Sequence, residues 1–162
     1  MWFDEFDSPV GKLVVAADST GIRHILFECN RHETRGRDSW RRDQGVVREV
    51  RDQLLGYFAG ARTEFDLPLA PVGTPFQLKV WNALAGIPFA HTRSYSDIAR
   101  QIGEPNAVRA VGAANGRNPL PIVLPCHRVI GSDGSLTGFG GGLSVKQFLL
   151  EHEGAGQGRL QF

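Results

Sequence analysis

The first 28 residues alternate between apolar and polar side chains over short runs, which is the pattern of β-strands. Two runs within residues 10–28 flank the sequence Asp-Ser-Thr-Gly at 18–21, whose residue types favour a tight turn, so a β-hairpin is predicted there. Residues 2–6 form another candidate strand. The chain is therefore predicted to open with a small antiparallel sheet.

A helix is predicted to pack on this sheet. Apolar side chains recur at intervals of three and four from residue 44 to residue 59, which places them on one face of a helix. They are Val46, Val47, Val50, Leu54, Leu55 and Phe58. An arginine-rich polar loop at 31–42 precedes this helix, and the proline-containing segment 67–73 is a predicted linker.

The second half of the chain carries clear signals for helix starts. Thr74 is a suitable N-cap, Pro75 suits the first helical position, and Gln77 completes a capping box. The side chains that follow form one apolar stripe, made of Phe76, Val80, Leu84 and Ile87. A helix is therefore predicted from residue 75 onwards.

Two further helices are predicted, joined by a short turn. Ser94 and Asp97 form a similar capping pattern for a helix over 95–101, and Asn106 is the expected cap of a third helix that runs towards residue 116. A helix pair of this kind resembles the helix-turn-helix of DNA-binding proteins. Many all-α domains contain such a pair without binding DNA, so this feature alone leaves both interpretations open.

Length and composition narrow the class of protein. A chain of 162 residues with 41% hydrophobic residues can bury one large core or two small ones. It has no run of eighteen apolar residues, and its N-terminal sequence lacks the order of a signal peptide, so a cytosolic protein is expected. Its two cysteines, Cys29 and Cys126, are expected to be reduced.

Charge is distributed unevenly between the two halves. Residues 1–71 hold 10 basic and 12 acidic side chains, whereas residues 72–162 hold 8 and 5. Between residues 93 and 128 the basic side chains are all arginines, which suit phosphate groups. This excess fits DNA binding, and an ordinary solvated basic face is the alternative.

The second helix of the pair is unusual for a protein that reads DNA sequence. Residues 107–115 are almost all small, and Arg109 is the one long polar side chain before Asn115. Readers of the major groove use several long polar side chains. We therefore expect close approach to DNA without sequence readout, with Arg109 filling a gap left in the base stack.

Cys126 and His127 are the candidate reactive residues. They lie within an apolar run, residues 121–129, that is predicted to be a strand. A nucleophile and its base would suit this pair, because a thiol is strongly nucleophilic only as the thiolate. A buried structural cysteine is the alternative. Adjacent side chains on a strand point to opposite faces, so a water or a bend would have to carry the proton.

The sequence around this pair resembles the active-site signature of the O6-alkylguanine-DNA alkyltransferases, also called methylated-DNA–protein-cysteine methyltransferases. The resemblance rests on Pro-Cys-His-Arg-Val at 125–129, on Asn-Pro-Leu-Pro-Ile at 118–122, and on Gly-Gly-Leu at 141–143 with Lys146. It extends over residues 74–153.

The resemblance implies an α+β protein with two domains. Residues 1–70, which are similar to the family only in layout, would form a ribonuclease-H-like α/β domain with a small antiparallel sheet. Residues 71–162 would form a mostly helical, winged-helix-like domain that contains the helix-turn-helix, binds DNA and accepts the alkyl group.

Five catalytic roles follow from the resemblance. Cys126 would be the alkyl acceptor, and His127 would deprotonate it through a bound water while Glu153 holds the other ring nitrogen. Tyr95 would help to rotate the damaged nucleotide and would donate a proton to the leaving guanine. Asn118 would tie the small-residue helix to the turn that bears the cysteine.

Two further groups of residues are implied in the same way. Arg109 would enter the duplex in place of the rotated nucleotide. The DNA-contacting set is Ser94, Ala107, Arg109, Ala110, Ala114, Asn115, Arg117 and Arg128. The pocket for the alkylated base is lined by Tyr95, Pro121, Val129, Phe139 and Gly140. Phe139 and Gly140 stand where many relatives have tyrosine and serine, so the tolerance of bulky alkyl groups stays open.

The resemblance therefore implies stoichiometric, irreversible repair of O6-alkylguanine, and of O4-alkylthymine, in double-stranded DNA after nucleotide flipping. The protein would approach the minor groove as a monomer, with clustering on DNA left open, and it would need no cofactor. An alkyltransferase-like lesion binder and a helix-turn-helix regulator are the rival interpretations. The first lacks the reactive cysteine, and the second needs a recognition helix rich in long polar residues.

A zinc site is the remaining alternative for the cysteines. Cys29 lies near His24 and His32, but a fourth ligand is missing from that neighbourhood. Cys126 has no second cysteine or histidine at ligand spacing beyond its own neighbour. We therefore expect no metal.

Overall fold

The computed structural model describes residues 1–28, 36–45, 47–136, 139 and 141–155. Four strands of the N-terminal half form a sheet: β1 (Trp2–Ser8), β2 (Gly11–Ala17), β3 (Ile22–Phe27) and β4 (Arg41–Arg42). Their order in space is β3-β2-β1-β4. The first three strands are antiparallel, as predicted. β4 was not predicted, and it pairs with β1 in the parallel direction.

The turn between β2 and β3 forms at the predicted place. Asp18 caps it, because its Oδ1 accepts the backbone N–H of Thr20 at 2.8 Å. Gly21 is required at the end of the turn, since a Cβ there would lie 2.3 Å from the carbonyl oxygen of Pro68. That close approach belongs to a short pairing in which Ile22 N–H donates to Pro68 and Ala70 N–H donates to Ile22. Part of the predicted linker is therefore hydrogen-bonded to the edge of the sheet.

Helix α1 (Arg48–Phe58) packs on the sheet and is shorter at its start than the predicted 44–59. Its buried side chains are Val50, Gln53, Leu54 and Tyr57. Gln53 fixes the chain that follows, because its amide both donates to the carbonyl of Asp66 and accepts from the N–H of Asp66, each at 2.9 Å.

The first helix of the second half begins as predicted. Helix α2 (Pro75–Leu84) has Thr74 as N-cap with a complete capping box to Gln77. Trp81 is buried on its inner face and donates its indole N–H to the carbonyl of Ala114 at 2.8 Å. This bond joins α2 to the helix pair that carries the small residues.

The helix pair is present with one correction. Helix α3 (Tyr95–Gln101) has Ser94 as N-cap and a capping box to Asp97, as predicted. Helix α4 (Val108–Gly116) has Ala107 as its N-cap, without a side-chain hydrogen bond, so the prediction that Asn106 caps it is wrong by one residue.

The predicted strand over 121–129 is also wrong. Residues 121–125 form turns, and Ile122 has a positive φ of 73°, which a β-branched residue rarely adopts. A 3₁₀ helix (Cys126–Arg128) follows, and only the two-residue strand β6 (Val129–Ile130) is extended. It pairs in parallel with β5 (Arg93–Ser94). The apolar residues of this run are therefore mostly buried although they lie in turns and a 3₁₀ helix rather than in a strand.

Helix α5 (Leu143–Glu153) completes the fold and ends at Gly154, which adopts the left-handed conformation of a helix C-cap. A core cluster of buried residues runs without a break from Leu13 in the sheet to Leu149 in α5. None of the helices in the described part of the chain combines the length and apolar character that crossing a membrane requires.

Candidate active site

The cysteine lies at the start of the 3₁₀ helix, inside the protein. Cys126 is 3% exposed and forms no disulfide. Its N–H donates to the carbonyl of Leu124 at 2.7 Å, and its own carbonyl accepts from the Asn115 side chain at 3.2 Å. Because the segment is helical rather than extended, Cys126 and His127 do not point to opposite faces of a strand.

Asn118, just after α4, binds the turn that leads to the cysteine. Its Nδ2 donates to the carbonyl of Leu124 at 2.7 Å, and its Oδ1 accepts the N–H of Leu120 at 2.9 Å. The Asn118 side chain also lowers the pKa of the Cys126 thiol through hydrogen bonding. Asn118 thus positions the loop that carries the cysteine and favours its thiolate.

Glu153 holds His127 from the end of α5. The Oε2 atom of Glu153 lies 2.7 Å from His127 Nε2, and both side chains are fully buried. Burial raises the pKa of Glu153, but the hydrogen bonds from His127 and Arg128 outweigh it and hold that pKa far below its usual range. Because Glu153 is therefore a carboxylate, Nε2 of His127 must carry the proton, which leaves Nδ1 as the basic nitrogen.

Two further side chains, which the sequence did not assign to Glu153, donate hydrogen bonds to its carboxylate. Arg128 donates from Nε to Oε1 at 2.8 Å and from Nη2 to Oε2 at 2.9 Å, and it also donates to the carbonyl of Ile87. Tyr57, on α1, donates its hydroxyl to Oε2 at 2.6 Å. Tyr57 lies 96 positions from Glu153 in the chain, so no local pattern could have identified it.

Burial works against ionisation at both reactive groups. It raises the pKa of the Cys126 thiol to about 11, although the hydrogen bond from Asn118 and the charge of Lys146 partly oppose it. Burial also lowers the pKa of His127, against the opposing effect of Glu153. Within the described residues His127 Nδ1 is buried and has no protein hydrogen-bond partner, so it is available to accept a proton.

Lys146 was recognised in the sequence only as part of the family signature. Its side chain is fully buried, and Nζ donates to the carbonyl of Val129 at 2.5 Å and to the hydroxyl of Tyr95 at 3.4 Å. Burial lowers the pKa of Lys146 to about 8, while the nearby Cys126 opposes that shift. Lys146 lies three and four positions before Leu149 and Leu150, on the buried face of α5, and this spacing could have indicated a buried charge.

Four of the five predicted pocket residues are described, and two of them, Tyr95 and Val129, accept hydrogen bonds from Lys146. Tyr95, Pro121, Val129 and Phe139 are all buried. The ring of Phe139 packs against Phe27 of the sheet, with centroids 5.5 Å apart. Gly140 lies outside the described residues.

Five of the eight predicted DNA-contacting residues are exposed or half-buried. Arg109, Ala110 and Arg117 are exposed on or just after α4, and Ala107 and Ser94 are half-buried near the helix starts. Gly112, one turn after Arg109, faces Tyr95, since a Cβ on Gly112 would lie 3.9 Å from the Tyr95 ring. The exposed side of α4 therefore offers small residues and two arginines to a partner.

The other three predicted DNA-contacting residues are buried. Ala114 and Asn115 are buried beneath α4, where the Ala114 carbonyl accepts from Trp81 and the Asn115 amide donates to Cys126. Arg128 is 5% exposed, and its guanidinium binds Glu153 and Ile87. These three residues are buried and bind other parts of the protein, which argues against direct contact with DNA.

Of the three candidate zinc ligands near the N-terminal sheet, only His24 lies within the described residues. Cys29 and His32 lie outside the described residues. The ring of His24 stacks on Trp40 with centroids 5.3 Å apart, and burial lowers its pKa. Across the described ranges, no three His, Cys, Asp or Glu side chains come close enough together to hold a metal ion.

These features define an α+β protein in which a helix-turn-helix domain carries a buried Cys-His-Glu centre. Two family models match the chain: the ribonuclease-like domain of 6-O-methylguanine DNA methyltransferase over residues 3–71, and the DNA-binding domain of the same protein over residues 75–155. The chain belongs to the 6-O-methylguanine DNA methyltransferase family.

Individual relatives agree over almost the whole length. The methylated-DNA–protein-cysteine methyltransferase of Methanosarcina acetivorans is 48% identical over 155 residues, covering 96% of this chain and 99% of the relative. That of Mycobacterium tuberculosis is 50% identical over 147 residues, covering 91% and 88%. The crystal structure of M. tuberculosis OGT in complex with DNA has a TM-score of 0.90, with 48% identity over 94% of this chain and 93% of that one.

Proposed function

We propose that the protein repairs DNA directly, by transferring the alkyl group of O6-alkylguanine to Cys126. The observation that carries this proposal is the buried Cys126 beside His127, whose Nε2 is held by Glu153 at 2.7 Å. The family and its relatives, one of them crystallised with DNA, support the same activity. This is the activity named for its relatives, the methylated-DNA–protein-cysteine methyltransferases.

Thiol activation follows from the tautomer of His127. Nδ1 takes the thiol proton through a water molecule, and Glu153 stabilises the imidazolium that forms. Asn118 and the ammonium group of Lys146 stabilise the thiolate, since both lower the pKa of Cys126 against the effect of burial. The thiolate sulfur then attacks the alkyl carbon, and the bond from that carbon to O6 breaks.

The guanine leaves as an anion and needs a proton. Tyr95 donates it from its hydroxyl, which lies 3.4 Å from Lys146 Nζ. The neighbouring ammonium group favours the phenolate that results. Tyr95 then regains a proton from solvent, and the His127 imidazolium releases to solvent the proton that it took from the thiol. The product is a thioether on Cys126. A thioether does not readily give up its alkyl group, so each molecule reacts once.

The damaged base must leave the stack to reach this centre. Extrusion costs a few kcal/mol, and we propose that Arg109 offsets part of that cost by filling the gap. Its exposure on α4, beside Ala110, allows a close approach through the minor groove. Pro121, Val129, Phe139 and Gly140 would line the pocket, which would also take O4-alkylthymine.

The proposal also assigns a role to each of the two domains. Residues 71–162 bind DNA and accept the alkyl group, and residues 1–70 form a supporting domain. The protein works as a monomer in the cytoplasm, where thiols stay reduced.

Intact mass spectrometry tests the transfer. After incubation with duplex DNA containing O6-methylguanine, the protein should gain one methyl group, located on Cys126 by peptide mapping. Cys126→Ser, which differs by one atom, should gain nothing. An unchanged mass together with tight binding to the damaged duplex would instead indicate a lesion-binding protein without transfer activity.

A further inference from the structure

The buried hydroxyl of Tyr57 connects the N-terminal half to the catalytic centre. Tyr57 lies in the last turn of α1, is fully buried, and donates to Glu153 Oε2 at 2.6 Å. His152, the neighbour of Glu153, lies with its Nε2 2.9 Å from the backbone oxygen of Tyr57. The two contacts fix the end of α5 against α1.

The same carboxylate oxygen also serves His127. Oε2 of Glu153 accepts from Tyr57 at 2.6 Å, from His127 at 2.7 Å and from Arg128 at 2.9 Å. Oε1 accepts from Arg128 and from the N–H of Ala90. Each additional donor withdraws electron density from the carboxylate and reduces its capacity to stabilise a positive imidazole.

Charged and titratable groups approach this centre from several elements of the described chain. Arg128 comes from the 3₁₀ helix and Lys146 from α5. Their positive charges lower the pKa of His127, whereas Glu153 raises it. Cys126 precedes His127, and His152 packs on the Tyr57 ring with centroids 4.9 Å apart. Tyr57 is the neutral hydroxyl donor to Glu153, and burial raises its pKa far above the usual range. It therefore keeps its proton throughout the reaction.

We propose that Tyr57 is a positioning residue that sets the basicity of His127 by sharing the Glu153 carboxylate. The inference rests on the proposed function, because His127 matters as the base for Cys126. With Tyr57 present, Glu153 supports the imidazolium less strongly, and His127 stays neutral to a lower pH. Removing the hydroxyl should make His127 more basic, so that it becomes protonated, and ineffective as a base, at higher pH.

The test compares pH–rate profiles for transfer from free O6-benzylguanine, which avoids effects on DNA binding. In Tyr57→Phe the acid limb of the profile should move to higher pH by about 0.5 to 1 unit. Phe65→Leu is the matched packing control, because Phe65 contacts the Tyr57 ring and has no hydroxyl near Glu153. It should lower thermal stability without moving the acid limb.

A second pair of measurements keeps the inference testable if Tyr57→Phe folds poorly. Fluorotyrosine at position 57 is a stronger donor of nearly the same shape, so it should move the acid limb to lower pH. The proton NMR resonance of His127 Nε2–H should move in opposite directions in the two variants. Superimposable profiles with an unmoved resonance would overturn the role of Tyr57.

Failure of the proposed function would look different. If the unmodified protein transferred no alkyl group at any pH, the transfer activity would be rejected, and the His127 resonance would still report whether Tyr57 acts on the Glu153–His127 pair. A resonance that moves as expected supports the influence of Tyr57 independently of turnover.

Discussion

The ammonium nitrogen of Lys146 lies 2.5 Å from the carbonyl oxygen of Val129, a residue that lies three positions after the reactive cysteine. This contact directs a buried positive charge towards the region of Cys126 and the hydroxyl of Tyr95. In the proposed reaction, this charge would favour both the Cys126 thiolate before transfer and the Tyr95 phenolate after it. Lys146 is thus placed to assist both halves of the reaction.

Replacing this lysine should slow alkyl transfer. Lys146→Met removes the charge that lowers the pKa of Cys126, so the thiolate fraction and the rate with free O6-benzylguanine should fall about tenfold for each unit by which that pKa rises. Because the pKa of Lys146 is lowered to about 8, its charge is lost above that pH, and the difference between the two proteins should narrow there. Lys79→Met, at an exposed site on α2, is the control and should react normally. Equal rates for Lys146→Met and the unmodified protein at pH 7 would exclude this role.

Arg109 should matter only when the base has to leave a duplex. Arg109→Ala should slow repair of O6-methylguanine in double-stranded DNA by about tenfold or more, since filling the gap offsets part of an extrusion cost of a few kcal/mol. Reaction with free O6-benzylguanine should be unaffected. Arg48→Ala removes an exposed arginine from α1 and should change neither rate. Equal slowing of both substrates by Arg109→Ala would exclude the gap-filling role.

Most features with a local cause were predicted correctly from the sequence, and the N-cap of α4 is the exception. The capping boxes at Thr74 and Ser94 depend on side chains three residues apart, and both are present. The hairpin of β2 and β3 depends on the four turn residues at 18–21. Such signals survive folding because the groups that satisfy each other are neighbours in the chain.

Features that depend on tertiary contacts were predicted poorly. The run 121–129 is apolar because its turns are buried, and the same composition suited a strand. The burial of Arg128 follows from its pairing with Glu153, 25 positions away, which no spacing rule indicates. The contact of Tyr57 with Glu153 is likewise formed only when α1 meets α5. Cys126, His127 and Glu153 were proposed as catalytic from the family resemblance, whereas Tyr57 and Arg128 were found beside Glu153 only in the folded structure.

The N-cap of α2 should contribute measurably to stability. Thr74→Ala removes the side-chain oxygen that accepts the N–H of Gln77, and it should lower the free energy of unfolding by about 1 kcal/mol. Asn106→Ala is a matched comparison, because the sequence pattern marked Asn106 as a cap but α4 has Ala107 in that position. It should cost clearly less than Thr74→Ala in urea unfolding experiments. The reverse order would show that α4 begins where the sequence suggested.

Glu153 should contribute to stability in a pH-dependent way. Its pKa in the folded protein is far below the usual value, so the unfolded chain binds its proton first as the pH falls, and stability is lost below about pH 4.5. Glu153→Gln leaves Arg128 buried without its anion and should lower the free energy of unfolding at pH 7 by about 3 to 5 kcal/mol. It should also flatten the decline in acid, because a glutamine has no proton to gain. Glu151→Gln, at an exposed site on the same helix, should show neither effect. Urea unfolding of the three proteins from pH 3 to pH 7 measures both quantities, and parallel acid declines for Glu153→Gln and the unmodified protein would mean that the stability of this fold does not depend on the ionised Glu153.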